Sequence, residues 1–422
     1  MTKKVLFVTY YWPPSGKASS HWPLQMIKYL PNSNWLPTVL TINDDSFSHK
    51  DESLSSQIDE KVEVFRTKVL EPFDLYRKFL GKEKDSPLIA SETISLDNKD
   101  LKHRISIWIR MNLFVPDARI GWYPYAVKKG KEILEQNKFD AIVTIGPPHS
   151  THLIGMKLSD KFNIPFFPVF IDPWVDIVYY KNFKRNPLTL LIDNYLEKKV
   201  IGKSSKTIFV TESMRDDYKN KYQLLSNKYE ILHWGYSEDE FASIIKESVK
   251  EEKIILHAGN IFDYQNIVPF WEQVKAEISK GNKLKLKFIG TVSNLIKQSI
   301  TDCGLDEHVE YMGFIPYSQV PQEMLNADYL LVCATEKRHL PGKLFEYLRT
   351  GNPIIAFGDD NTEIAAILEK SNAGMLFNYS DTGAEFFKKA YSFNTDFGYI
   401  KRFDRKYISA ELGNLLNTSF NP

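Results

Sequence analysis

The stretch HLPGKLFEYLRTGNPIIAFG, residues 339–358, sets Pro-Gly-Lys at the head of an apolar helix and a glutamate one turn inside it. An ordinary helix–turn–strand unit accounts for Leu344, Phe345 and Leu348 as one apolar face, Gly351 as a C-cap and Pro353 as the start of a strand. It leaves Gly342, Lys343 and Glu346 without a purpose. First-turn amides of a helix beginning near Gly342 lack intrahelical partners and carry partial positive charge, which suits a phosphate. Gly342 admits a ligand at close range and Lys343 adds a point charge beside those amides. Glu346 then offers a carboxylate that can accept hydrogen bonds from a ribose diol.

Three further stretches have the same character. YYWPPSGKASSHW, residues 10–22, follows a first apolar run and leads into a helix expected over 19–30, so its Pro-Pro-Ser-Gly loop is either a ligand loop or a rigid turn around Gly16. His149 and His152 sit beside a Pro-Pro turn in GPPHSTHLIG, with no cysteine or carboxylate nearby at a metal-ligand spacing. Asp172 in FIDPW either caps a turn at Pro173 or orients and deprotonates a hydroxyl.

Parallel strands must present these loops. Short β-branched or aromatic runs at 5–10, 38–40, 62–65, 141–145, 166–171, 207–211 and 229–232 alternate with helical patterns. A second series follows at 254–257, 285–289, 309–312, 329–332, 354–357 and 375–377. Such alternation predicts α/β architecture with right-handed crossovers, built twice. Two doubly wound halves facing a central cleft bind ligands at the carboxyl ends of their strands. The expected domains are 1–235, with a helical and polar insertion over about 73–125, then 236–390, and a segment 391–422 that packs back on the first domain. The join falls near HWGYSEDEF, before a charged run, KESVKEEK, read as a solvated helix or linker.

Composition narrows the function classes. At 422 residues the chain exceeds one ordinary core, and 43% hydrophobic with 25% charged residues describes a globular protein. A net charge of +1 gives no electrostatic case for nucleic acid. Two cysteines, Cys303 and Cys333, suggest a reducing compartment. The short apolar run after Lys3-Lys4 ends in Pro13-Pro14 and reads as a first strand, so a cytoplasmic location is expected.

Together with FIDPW, GPPHSTHLIG and HAGNI (residues 257–261), both loops resemble bacterial glycosyltransferases of the GT-B fold, nearest to retaining family 4-like enzymes of surface polysaccharide and lipopolysaccharide assembly. The resemblance covers essentially the whole chain, and PGKLFEYLxxGxPI is its most specific element. It implies sugar transfer from a nucleotide sugar, a UDP- or GDP-sugar, to a glycan or lipid-linked acceptor. It also implies no metal, the leaving diphosphate being stabilised by a helix N-terminus and basic side chains. Donor contacts are implied at Gly16, Lys17, Gly259, Asn260, Arg338, Gly342, Lys343, Leu344 and Glu346, with Glu346 matching the second glutamate of an E-x7-E motif. Asp172, His149 and Lys343 would carry the chemistry, while His152, Arg119 and Trp174 would line the acceptor side.

The chain departs from the family pattern at three places. The first glutamate of the motif falls on Arg338, with Glu336 out of register; the second of two paired glycines is Lys17; and an expected arginine is Gln265. These departures keep two rivals in play: a decayed binding or scaffold subunit, and a same-fold epimerase or hydrolase. Finally, RISIWIRMNLFVPDARIGWYPY, residues 104–125, mixes basic and large apolar residues, as a segment at the inner membrane or on a lipid-linked acceptor would. The reading adopted is a core helix closed by the Pro116–Asp117 turn.

Overall fold

The computed structural model describes residues 2–47, 50–70, 101–177, 185–247, 251–335 and 337–418. Most of the expected insertion and Glu336 therefore lie outside the described residues. The chain forms two compact units, Met1–Leu232 with Ser409–Pro422, and His233–Ile408.

The first unit holds a seven-stranded parallel sheet in the order β3-β2-β1-β4-β5-β6-β7. Its strands are β1 (Lys3–Thr9), β2 (Trp35–Ile42), β3 (Glu63–Thr67), β4 (Ala141–Gly146), β5 (Phe166–Phe170), β6 (Thr207–Phe209) and β7 (Tyr229–Ile231). Every residue of β4 and β5 is buried, as helices on both faces of a parallel sheet require. Strand order reverses between β1 and β4, which pair from Val5↔Ala141 to Thr9↔Ile145. At this switch point the crossovers leave in opposite directions and open a crevice beyond the strand ends. Two of the suspect loops, after β1 and after β4, leave the sheet at this switch point.

The second unit repeats the plan with six parallel strands in the order β10-β9-β8-β11-β12-β13. They are β8 (Lys253–Ala258), β9 (Leu284–Ile289), β10 (Val309–Gly313), β11 (Tyr329–Cys333), β12 (Ile354–Phe357) and β13 (Gly374–Phe377). Here the switch point lies between β8 and β11. HAGNI leaves β8 at that point, and the Lys343–Thr350 helix follows β11. That helix buries Leu344, Phe345, Tyr347 and Leu348 completely, each burial contributing about 1.5–3 kcal/mol, and so fixes the direction of its N-terminus.

One expectation changes. Leu101–Asn112 is a helix with Ile107 and Met111 buried, but Ile105, Trp108 and the following Leu113 are 41%, 50% and 63% exposed. Only one stripe of it joins the core, and Asp117 caps a different helix: its carboxylate accepts from the Ser150 amide at 2.8 Å and the Ser150 hydroxyl at 3.0 Å. The second unit begins at His233, and the residues that follow are packed into it. Glu238 pairs with Arg349 at 2.6 Å, Phe241 lies under the Arg349 guanidinium, and Lys246 donates to Asn352 at 2.8 Å.

Candidate functional site

In the second unit the site is built where β8 ends. Gly259 adopts φ +116°, a conformation that disfavours any side chain, and a Cβ there would stand 2.8 Å from Lys343 Nζ. Glycine thus lets the loop and the lysine meet. Asn260 turns its side-chain oxygen to the Thr291 amide at 3.0 Å, which fixes the loop. Lys343 Nζ donates to His257 Nε2 at 3.1 Å, and His257 Nδ1 lies 3.1 Å from the Leu331 carbonyl. An ammonium only donates and a carbonyl only accepts, so His257 carries its proton on Nδ1. Burial, then the Lys343 charge, hold His257 far below the usual histidine range. Burial also pushes Lys343 down to about 8 and, with help from Lys343, His339 to about 4. His339 Nδ1 accepts from the Thr335 amide at 3.0 Å. The nearest neighbours of Lys343 are neutral, the Glu346 carboxylate one turn away offsets the burial only in part, and a diphosphate would supply a closer counter-charge.

The helix start has two amides to offer. The Leu344 amide donates to the Pro341 carbonyl at 3.0 Å and the Phe345 amide to Gly342 at 3.2 Å. Among the described residues the Gly342 and Lys343 amides make no such backbone bond, so they, and not Leu344, are the donors left for a ligand. Glu346 is 9% exposed; its Oε1 accepts from the Tyr317 hydroxyl at 2.6 Å and lies 3.7 Å from Arg405. Arg338 is half-buried in the loop after β11. Gln265 does not stand in for an arginine: buried, it donates to the Cys333 carbonyl at 2.7 Å and accepts from the Phe262 amide at 3.0 Å.

In the first unit the loops after β4 and β5 form an aromatic cluster. His149 stacks on Trp174 at 5.2 Å and His152 on Phe170 at 4.7 Å. His152 Nδ1 meets Thr144 Oγ1 at 2.7 Å. Burial pushes His149 down to about 3 and holds His152 well below the usual histidine range, so both rings are neutral. Trp174 is fixed from behind: its indole donates to Asp193 at 2.6 Å, its amide to Tyr218 at 2.9 Å, and Tyr218 donates to Glu197 at 2.5 Å. Arg185 neutralises Asp193 at 2.5 Å. Asp172 is half-buried in the bend after β5, two residues before this anchored tryptophan. Arg119 stacks on Tyr10 at 5.3 Å, and its charge, after desolvation, lowers the Lys17 pKa.

The second unit therefore brings together Gly259, Asn260, Gly342, Lys343 and Glu346. The first unit brings together His149, His152 and Trp174, with Asp172 in the same loop as Trp174, and places Lys17 near Arg119. Gly16 and Lys17, expected with the donor set, belong to the first unit. Sequence reasoning passed over His257, although it heads HAGNI, and the groups behind Glu346 and Trp174, which have no local signature. Among the described residues no group of three or more His, Cys, Asp or Glu side chains is placed to hold a metal.

Residues 252–395, within the second unit, match the family described as glycosyl transferases group 1. No curated protein matches the chain. Among solved structures, sucrose-phosphate synthase from Thermosynechococcus elongatus aligns over 99% of both chains with 13% identity and a TM-score of 0.61. HepE from Anabaena, solved with UDP and glucose, aligns over 99% of this chain and 100% of its own, with 13% identity and a TM-score of 0.59. The lipopolysaccharide outer core galactosyltransferase WaaB aligns over 99% of both, with 12% identity and a TM-score of 0.59. The chain has the GT-B fold.

Proposed function

We propose that this glycosyltransferase moves a sugar from a UDP- or GDP-sugar to a hydroxyl of a glycan or lipid-linked glycan, with retention of configuration and without a metal. The observation that carries the reading is the convergence of Lys343, the Gly342 and Lys343 amides and Gly259 at the β8/β11 switch point, one turn ahead of Glu346. This set suits a nucleoside diphosphate, with the amides and ammonium on the phosphates and Glu346 on the ribose. As the glycosidic bond breaks, negative charge grows on the leaving diphosphate, and a preorganised ammonium in a partly desolvated site stabilises it. HepE, of the same fold, has been solved with UDP-glucose, which supports a uridine donor here.

Asp172 takes the acceptor role. It is the half-buried carboxylate of its loop, whereas His149 and His152 are 4% and 0% exposed and neutral. Those histidines act on the acceptor by shaping the face of Trp174. Association with a membrane and a lipid-linked acceptor is supported by a second exposed stripe. On the Pro187–Lys203 helix, Leu188, Leu191 and Tyr195 are 63%, 69% and 61% exposed, and exposed Lys198 and Lys199 continue the same face. Asn112 ties this helix to Leu101–Asn112, with its exposed Trp108, by accepting from the Asn186 amide at 2.6 Å. Apolar patches edged with lysine favour an anionic bilayer surface. No helix among the described residues is long and apolar enough to cross a membrane.

Titration calorimetry with UDP and GDP tests the donor site. Glu346→Ala is expected to weaken the preferred nucleotide by about 1.5–3 kcal/mol, the range for a hydrogen bond to a charged group. Unchanged affinity in a folded variant overturns the ribose assignment.

A further inference from the structure

Glu346 is held by residues remote from it in sequence, and all of them act on one of its oxygens. The Tyr317 hydroxyl lies 2.6 Å from Glu346 Oε1 and 2.9 Å from Glu240 Oε2. A phenol has one proton and serves one carboxylate at a time, so the shorter contact assigns it to Glu346. Burial first, then the two carboxylates, push the Tyr317 pKa well up, so the hydroxyl keeps its proton. Arg405, 3% exposed, faces the same pair, 3.7 Å from Glu346 Oε1 and 3.8 Å from Glu240 Oε1. Arg405 is anchored independently of the Lys343–Thr350 helix: its amide donates to the Tyr236 carbonyl at 2.9 Å, beside a parallel bridge between Tyr236 and Asp404. Among the described residues Glu346 Oε2 makes no hydrogen bond.

We infer that Tyr317, backed by Arg405 and Glu240, is a positioning residue for the donor ribose, holding Glu346 by Oε1 so that Oε2 faces the diol. The inference rests on the donor-site reading above. The terminal torsion of a glutamate is broad, and without the phenol the carboxylate turns towards Arg405 and no longer presents a fixed acceptor. A buried tyrosine with only a structural role affects stability when altered, but it does not set the preference of the site for ribose over deoxyribose.

That preference is the readout. Titration calorimetry on the full chain compares UDP and GDP with their 2′-deoxy forms, in wild type, Tyr317→Phe and Arg405→Lys, with folding checked by circular dichroism. Wild type is expected to prefer the ribonucleotide by about tenfold or more, as a hydrogen bond to a charged group implies. In Tyr317→Phe the ratio should fall at least threefold, with the deoxynucleotide affinity unchanged. Arg405→Lys reads the same ratio through a second residue and should lower it too. A ratio kept in both folded variants overturns the inference and leaves the donor site standing. A wild type indifferent to the 2′-hydroxyl overturns both.

Discussion

Lys343→Met removes the ammonium at the centre of the proposed donor site while keeping a side chain of similar length, and its consequences can be worked out beforehand. Burial lowers Lys343 from an ordinary 10.5 to about 8. At about 1.4 kcal/mol per pH unit, holding the charge in the folded chain costs roughly 2–4 kcal/mol at pH 7. The groups facing it are neutral His257, His339 and Cys333, the last pushed up to about 12 by burial, with Glu346 one turn away. The substitution also leaves His257 Nε2 without its donor, an offset of about 1 kcal/mol. Lys343→Met should therefore be more stable than wild type by roughly 1–3 kcal/mol at pH 7.

The pH dependence gives the sign. A lysine whose folded pKa lies below its unfolded value penalises the fold fully below pH 8, and the penalty fades as pH rises to 10.5. The gap between variant and wild type should close over that window and reverse above it. Urea denaturation of both proteins at several pH values from 7 to 10.5 measures it, and taking the difference cancels other titrating groups. The same substitution should weaken nucleotide binding, and wild-type affinity should fall by up to tenfold per pH unit above 8 while the variant's stays flat. A gap that is flat or widens with pH refutes the placement of a buried, only partly compensated ammonium at this site.

Two other outcomes follow from the division of residues between the units. Asp172→Asn should reduce turnover and leave nucleotide affinity nearly unchanged in paired titrations and steady-state rates; loss of nucleotide binding in a folded variant contradicts the assignment. Leu191→Glu with Tyr195→Glu should abolish co-sedimentation with anionic phosphatidylglycerol vesicles at unchanged stability, because both side chains are more than 60% exposed. Equal sedimentation of variant and wild type removes the case for a membrane-facing helix.

Much of this was legible in the sequence because parallel strands buried on both faces read as continuous apolar runs. IIAF and AIVTIG are strands flanked by turn residues, and the structure forms them as β12 and β4. The loops at the two switch points were legible because glycine, proline, lysine and histidine cluster where a helix or strand has no use for them. What stayed hidden is long-range. Tyr317 and Arg405 lie 29 and 59 residues from Glu346, and nothing at either position announces a carboxylate to hold. The helix at 101–112 misled for a different reason: an alternation of basic and apolar residues gives its buried stripe but not whether the other stripe is covered. Gln265 likewise looked like a missing cation, yet a side chain with both donor and acceptor is what bridging the Phe262 amide and the Cys333 carbonyl needs.

The central claim is transfer of a sugar from a nucleotide donor, and a transfer assay in EDTA tests it most directly. Purified protein is incubated with labelled UDP- and GDP-sugars, with and without glycan or lipid-linked glycan acceptors, and the nucleoside diphosphate and the labelled sugar are both followed. The account predicts diphosphate release that depends on the acceptor, label in the acceptor, no loss of rate with EDTA, and loss of both signals in Lys343→Ala. Release at the same rate without an acceptor, an epimerised donor, a rate restored only by Mn²⁺ or Mg²⁺, or nucleotide binding with no turnover on any acceptor would contradict it.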